Sequence, residues 1–209
     1  GQSELVHALS GLRPVERGTF SINGREMQNA SPRRILQSGT GHIPENLEEA
    51  LVGDFTLVEN LMLNRHYTSE FSRMGILDEE QMNRASVRLI QEYNVRTSGE
   101  KARANTLSGG NKQKLVVARE LSRDPELLIA AHPTKGIDIG AEEDIRNLLL
   151  ERRHEGTAIL LISTKLDEIL SLSDRILVME GGRIMGETTR DEADIEKIGL
   201  LMAGIKDQE

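Results

Sequence analysis

From Leu127 onward the chain alternates short apolar runs with helical patterns, and this alternation admits few folds. Leu127-Leu128-Ile129-Ala130-Ala131 is a continuous apolar run of strand length. A helical pattern follows over 141–154, then a second apolar run over 157–162, a helix over 165–172 and a third run over 175–179. Strands separated by helices pair in parallel, because parallel neighbours need a long crossover. The third run turns through Gly181-Gly182 into 183–186, which predicts a strand pair there. A last helix is expected over about 190–203, ahead of a polar tail.

The first half is written differently. Residues 2–12 read as a helix ended by Gly11, and 18–26 as a hairpin, with Asn23-Gly24 the pair favoured in a type I′ turn. Ser31-Pro32 predicts the start of a short helix, with Ser31 capping and Pro32 in the first turn. Residues 41–45 read as a brief strand and loop. Thr56 and Glu59 have capping-box spacing, and Met82, Ala85, Leu89 and Tyr93 mark an amphipathic helix over 78–93. The expected fold is α/β: a parallel-sheet core, an antiparallel β part near 18–27 and a mainly helical part over about 56–106. The 209 residues suffice for one lobed domain. Because the sequence runs almost at once into a helix, we expect a domain excised from a longer chain, with strands upstream.

Composition narrows the function. The net charge is −8 and no long Lys/Arg run occurs, which argues against nucleic acid, where basic residues must neutralise phosphates. Tryptophan is absent and aromatics are scarce, so a base- or sugar-stacking platform is disfavoured. No stretch approaches the ~20 apolar residues of a membrane helix, and Gly1-Gln2-Ser3-Glu4 has no basic leader character. The lack of cysteine excludes disulfides and thiolate metal sites and fits a cytosolic setting.

The most specific string is Leu107-Ser108-Gly109-Gly110-Asn111-Lys112-Gln113-Lys114, two glycines after a serine at the mouth of a helix. First-turn amides of a helix have no intrahelical acceptor and the dipole is positive there, so such a junction suits an anion. Glycine lets a phosphate approach the backbone, and Ser108 adds a hydroxyl donor. On this chemistry alone, two readings stand side by side: an anion-binding turn, or a serine-capped helix after a glycine loop.

The wider context separates them. The string leads into a helix ending Ala118-Arg119-Glu120-Leu121, then Asp124-Pro125-Glu126, an apolar strand, and Pro133-Thr134-Lys135-Gly136-Ile137-Asp138. In this order and spacing the segment resembles the signature region of ATP-binding-cassette (ABC) ATPases. The Asn-x-Gln-Lys ending and the run Thr134 to Ala141 look like the branch that imports simple sugars and nucleosides. In that branch one polypeptide carries two cassettes, of which the second is commonly degenerate. The resemblance extends from Gly1 to about Gly186 and implies an ABC-type P-loop NTPase core, with 56–106 as its helical subdomain.

The resemblance assigns roles residue by residue. Gly1-Gln2-Ser3 matches the end of the phosphate loop. Gln2 stands where a lysine supplies charge to the β- and γ-phosphates, and Ser3 matches the Mg²⁺-binding hydroxyl. On these three residues alone, a plain helix start reads equally well. Glu45 matches the loop that usually carries glutamine; it is open there as a metal or water contact or as a solvated residue. The strand 127–131 should end in Asp-Glu, and has Ala131 and His132 instead. Alanine can neither ligate a metal nor orient water; histidine is a candidate base by residue type, or a structural residue. Thr164 stands where a histidine contacts the γ-phosphate, beside Lys165, which either reaches a phosphate or is solvated. Asp138 matches the loop that crosses to the partner cassette.

The departures at Gln2, Ala131, His132 and Thr164 each remove charge or proton-transfer capacity from one site. Loss of one such group lowers a rate by ~100-fold or more, although grouped losses are not additive. The resemblance therefore implies a domain whose Leu107-Ser108-Gly109-Gly110-Asn111 signature completes the ATP site of a partner cassette, while ATP and Mg²⁺ bind weakly or not at all at its own. It implies as partners a second cassette, transmembrane permease subunits and, indirectly, an extracytoplasmic solute-binding protein. The implied location is peripheral, on the cytoplasmic side of the inner membrane. Two other functions fit the same resemblance: an active ATPase using His132 or Lys165, and a cassette outside transport.

Overall fold

The computed structural model describes residues 1–205. It divides into two compact units, residues 1–40 with 160 onward, and residues 41–159.

The first unit opens with α1 (Gln2–Leu9). The helix stops short of Gly11, whose φ of +76° takes the left-handed turn that a side chain would resist. A hairpin follows, β1 (Ser21–Ile22) and β2 (Arg25–Glu26). Its turn residues Asn23 and Gly24 both have positive φ, as a type I′ turn requires. In α2 (Pro32–Gln37) Ser31 caps by accepting from the Arg34 amide.

The second unit carries the larger core. After β3 (Thr40–Ile43) comes α3 (Leu47–Ala50), a turn of helix capped by Asn46 that the sequence pattern did not reveal. In α4 (Leu57–Met62) the capping box forms in both directions between Thr56 and Glu59. A hairpin, β4 (Ser72–Arg73) and β5 (Ile76–Leu77), interrupts the part expected to be mainly helical. Its two-residue turn is Met74-Gly75, both at positive φ, and methionine is no turn signal. Then α5 (Glu79–Glu92) buries Met82, Ala85 and Leu89 on one face, with Tyr93 just beyond its end. After a single 3₁₀ turn (Ala104–Thr106) comes α6 (Gly109–Leu121), the centre of the unit: Leu115, Val116, Val117, Ala118 and Leu121 have no measurable exposure. Helices α3, α4 and α5 pack on it, and so does α7 (Ile139–His154).

The three-stranded sheet has the order β3, β6 (Leu127–Ala131), β7 (Ala158–Ile162). All of it but Thr40 and residues 160–162 lies in the second unit. The link from β6 to β7 runs through α7, the crossover that parallel neighbours need. β6 is buried as expected, whereas β7 is mostly half-exposed.

The first unit resumes after β7. α8 (Leu166–Leu172) precedes β8 (Arg175–Glu180) and β9 (Arg183–Thr189), which pair antiparallel with a bulge at Val178/Met179. The apolar run at 175–179 pairs through the Gly181-Gly182 turn with the strand that follows, as the sequence predicts, in a two-stranded sheet. The last helix, α9 (Ile195–Met202), begins later than 190 because Asp194 caps it, accepting from the Glu196 and Lys197 amides. It packs on β8 and β9. The polar tail expected after it falls largely outside the described residues.

Candidate functional site

In the second unit the signature segment forms a rigid junction. Leu107 is buried, Ser108 and Gly109 are exposed and Gly110 is buried. Ser108 is the N-cap of α6, with φ −65° and ψ 160°. Its Oγ accepts from the Asn111 backbone N–H at 3.5 Å and from Asn111 Nδ2 at 2.9 Å. Asn111 Oδ1 in turn accepts from the Arg96 amide at 2.7 Å, tying the turn to the segment after α5. At the helix N-terminus the Gly109 and Gly110 amides lack an intrahelical acceptor, which suits an incoming anion.

The junction rests on the loop before α7. A Cβ on Gly110 would lie 2.8 Å from Ala141 Cβ and 2.9 Å from Asp138 Oδ2, so only glycine fits. Gly136, at φ +70°, brings its carbonyl within 3.7 Å of where a Cβ on Gly109 would stand. Asp138 caps α7 by accepting from the Ala141 amide at 3.0 Å. The next residue, Ile139, is 85% exposed. Signature turn and Asp138 loop, read as separate motifs in the sequence, are therefore one surface within this unit.

Lys114 belongs to the scaffold and not to that surface. Its Nζ is buried, donating to Asp144 Oδ2 of α7 and to the Asn94 carbonyl. Further along α6, buried Arg119 donates through Nε to Glu120 Oε1 at 2.8 Å and through Nη1 to the Ala50 carbonyl at 2.7 Å. Glu120 also accepts from the His42 amide and from Asn64 Nδ2. This polar knot holds β3, α3 and the end of α4 to the signature helix. Sequence reasoning passed over it, treating Arg119-Glu120 as part of a motif when burial makes the pair a junction.

β6 ends at the buried methyl of Ala131. The chain then turns sharply: His132 has φ +48°, and its carbonyl accepts from the Lys135 amide. Lys135 Nζ donates to Glu45 Oε1 at 2.7 Å. That hydrogen bond, against the opposing effect of partial burial, holds the Glu45 carboxyl below the usual carboxylate range; the nearby His132 and the Lys135 charge act in the same direction. These residues do not fit a magnesium ion. The strand end offers a methyl group where a carboxylate ligand would be needed, and Glu45 is already engaged by an ammonium.

Gly1, Gln2, Ser3 and Thr164 belong to the first unit. Gly1 is the N-cap of α1 and lies close to the β8–β9 turn, where a Cβ would come within 2.7 Å of Gly182 Cα. Gln2 is half-buried and Ser3 exposed. Thr164 is exposed between β7 and α8, and Ser163 Oγ accepts from the Lys165 amide at 3.0 Å.

The sequence model of the family described as ABC transporter matches residues 1–135. The chain is 46% identical over 210 residues to the guanosine import ATP-binding protein NupO of Bacillus subtilis, covering 100% of this chain and 41% of that protein. It is 42% identical to the nucleoside import ATP-binding protein NupA of Lactococcus lactis, covering 98% of this chain and 40% of that protein. A glucose import ATP-binding protein of Haloferax volcanii, TsgD13, is likewise 42% identical, over 98% of this chain and 38% of its own length. The chain thus spans about two-fifths of these relatives. Among solved structures, a nucleotide-free ATP-binding cassette from an ABC transporter superposes with a TM-score of 0.75 at 22% identity, over 90% of this chain and 76% of that one. A dimeric cassette in a post-hydrolysis state with ADP and phosphate gives 0.76 at 18%, over 91% and 81%. The expected fold, a parallel sheet with antiparallel strands and helices, is the fold these cassettes share.

Proposed function

Because the chain belongs to the ABC transporter family of ATP-binding cassettes, we propose that it is the second, degenerate cassette of a two-cassette importer subunit. In this reading residues 1–209 are one cassette, with its helical subdomain over about 56–106. Its signature turn completes the ATP site of the first cassette, while its own site turns over little or no ATP. The observation that carries this reading is the contrast within one unit. The turn exposes Ser108 and Gly109, is preorganised, and is backed at the buried Gly110 by the Asp138 loop. The end of β6 offers only Ala131 and a left-handed His132.

The names of the relatives support an importer of nucleosides or simple sugars. Their length leaves room for a second cassette of this size. The partners are then that cassette, a permease pair and, indirectly, a solute-binding protein, with this domain peripheral at the cytoplasmic face of the inner membrane. Among the described residues no helix is long and apolar enough to cross a membrane. ATP is the nucleotide presented to the signature. At the domain's own site the reading assigns Gly1, Gln2 and Ser3 to phosphate contact, with Ser3 the one remaining group toward magnesium.

The test is steady-state ATP hydrolysis by the two-cassette subunit assembled with its permease. Ser108→Arg should abolish turnover, because the long cation fills the space a phosphate needs. His132→Ala should leave turnover within about twofold, since this reading gives His132 no proton to move. Full activity in Ser108→Arg, or collapse in His132→Ala, would reject the assignment.

A further inference from the structure

We infer that Asn111 is a positioning residue, which turns the hydroxyl hydrogen of Ser108 outward toward the triphosphate that the signature turn receives. This rests on the reading that the turn faces a partner's nucleotide. The hydrogen bonds around Asn111 supply the argument.

Arg96 contributes a backbone N–H, a donor with no alternative role, 2.7 Å from Asn111 Oδ1. That contact fixes the amide: rotated by half a turn, Asn111 would face one donor with another. Nδ2 must therefore point at Ser108 Oγ, 2.9 Å away, and can only donate to it. The Asn111 backbone N–H points at the same oxygen from 3.5 Å. A serine hydroxyl has two lone pairs and one hydrogen. Both lone pairs face donors on α6, so the hydrogen is left for an acceptor on the open side, where Ser108 is exposed. A phosphate oxygen arriving there meets a donor already turned toward it, and a charge-assisted hydrogen bond forms without reorganisation. The arrangement depends on Arg96, so the segment after α5 also bears on how Ser108 is presented.

Asn111 also has an ordinary structural role near a helix start, and aspartate separates the two. Asn111→Asp keeps an oxygen for the Arg96 amide and places negative charge in the first turn of α6, where the helix dipole favours it. Its second oxygen accepts, so the Ser108 hydroxyl turns inward. A purely structural Asn111 predicts a stable and active variant.

The experiment is a double-mutant cycle in the assembled two-cassette ATPase: wild type, Ser108→Ala, Asn111→Asp and both together, with kcat, KM and thermal midpoint measured for each. We expect both single variants to lower kcat by roughly 10-fold or more, with smaller changes in KM. The thermal midpoint of Asn111→Asp should be no lower than wild type, and the double variant no slower than Ser108→Ala. Wild-type kcat in Asn111→Asp overturns the inference. So does an Asn111→Asp effect that persists undiminished in the Ser108→Ala background, which would mark charge repulsion, and so does a lowered midpoint. If Ser108→Arg abolishes turnover but Ser108→Ala does not, the signature assignment stands and this inference fails. If Ser108→Arg is active, the assignment itself fails.

Discussion

Glu45 and Lys135, ninety residues apart in sequence, meet at 2.7 Å, the ammonium donating to the carboxylate. The pair ties the loop after β3 to the loop after β6. A carboxylate beside a strand end without acidic residues is held by a side-chain cation.

The sign of the pH dependence follows from the direction of the shift. Glu45 is held below its unfolded value, chiefly by the Lys135 hydrogen bond. The pair therefore contributes stability above the unfolded carboxylate range and loses it as pH falls through the lowered folded value. Both side chains are substantially exposed, so the contribution is about 1 kcal/mol or less. Lys135→Met should raise the Glu45 titration midpoint toward the ordinary carboxylate value while changing the unfolding free energy little. Carboxyl-carbon NMR titration reads the first and urea denaturation the second. An unchanged Glu45 midpoint would mean the contact does not persist in solution.

The two signature glycines should respond differently to alanine. At Gly110 a methyl group would press on Ala141 and Asp138, and overpacking of this kind destabilises by ~1–3 kcal/mol. At Gly109 the nearest atom is a carbonyl at ordinary contact distance, 3.7 Å away, so Gly109→Ala should leave stability unchanged. Denaturant midpoints should separate the two variants. If Gly109→Ala nevertheless slows hydrolysis in the assembled subunit, the methyl group obstructs something outside this domain.

How far the sequence was legible depends on the range of the interaction. The α5 face, the Thr56–Glu59 box, the Ser31 cap and the Asn23-Gly24 turn all rest on contacts within a few residues, and each appears as written. The same holds for the serine-capped helix start at Ser108, whereas the need for glycine at 110 comes from Ala141 and Asp138, distant in sequence. What escaped was set by distant partners. Nothing near Glu45 announces Lys135, nothing near Lys114 announces Asp144, and Arg119-Glu120 does not reveal that both side chains are buried. The pairing of 175–179 with 183–186 was legible because the Gly181-Gly182 turn brings the two runs together locally.

Asn60 is fully buried and holds the loop at 52–56 in place. Its Oδ1 accepts from the Val52 amide at 2.9 Å, and its Nδ2 faces the carbonyls of Val52, Phe55 and Thr56 at 3.0–3.3 Å. Asn60→Leu would strand the Val52 amide and remove the Nδ2 contacts, although the Val52, Phe55 and Thr56 carbonyls keep the backbone N–H donors of Phe55, Ala104 and Asn60. The expected loss is ~2–3 kcal/mol, together with faster amide hydrogen exchange at Val52. Exchange as slow as wild type would show that the loop does not need this side chain.

The Arg119–Glu120 pair offers the sharpest separation between the value of an ion pair and the cost of breaking it. Both side chains are nearly buried. Arg119→Ala leaves the Glu120 carboxylate in a low-dielectric interior without its cation and frees the Ala50 carbonyl; losses of ~3–5 kcal/mol are typical of such a half-broken pair. Removing both, as Arg119→Met with Glu120→Leu, eliminates the buried charge and restores apolar packing. The His42 amide and Asn64 still lose an acceptor, so the double variant should recover part of the loss and not all of it. Urea unfolding of the single and double variants measures both quantities. A double variant less stable than Arg119→Ala would mean that the contacts of Glu120 with His42 and Asn64, and not charge pairing, dominate the junction between β3 and the signature helix.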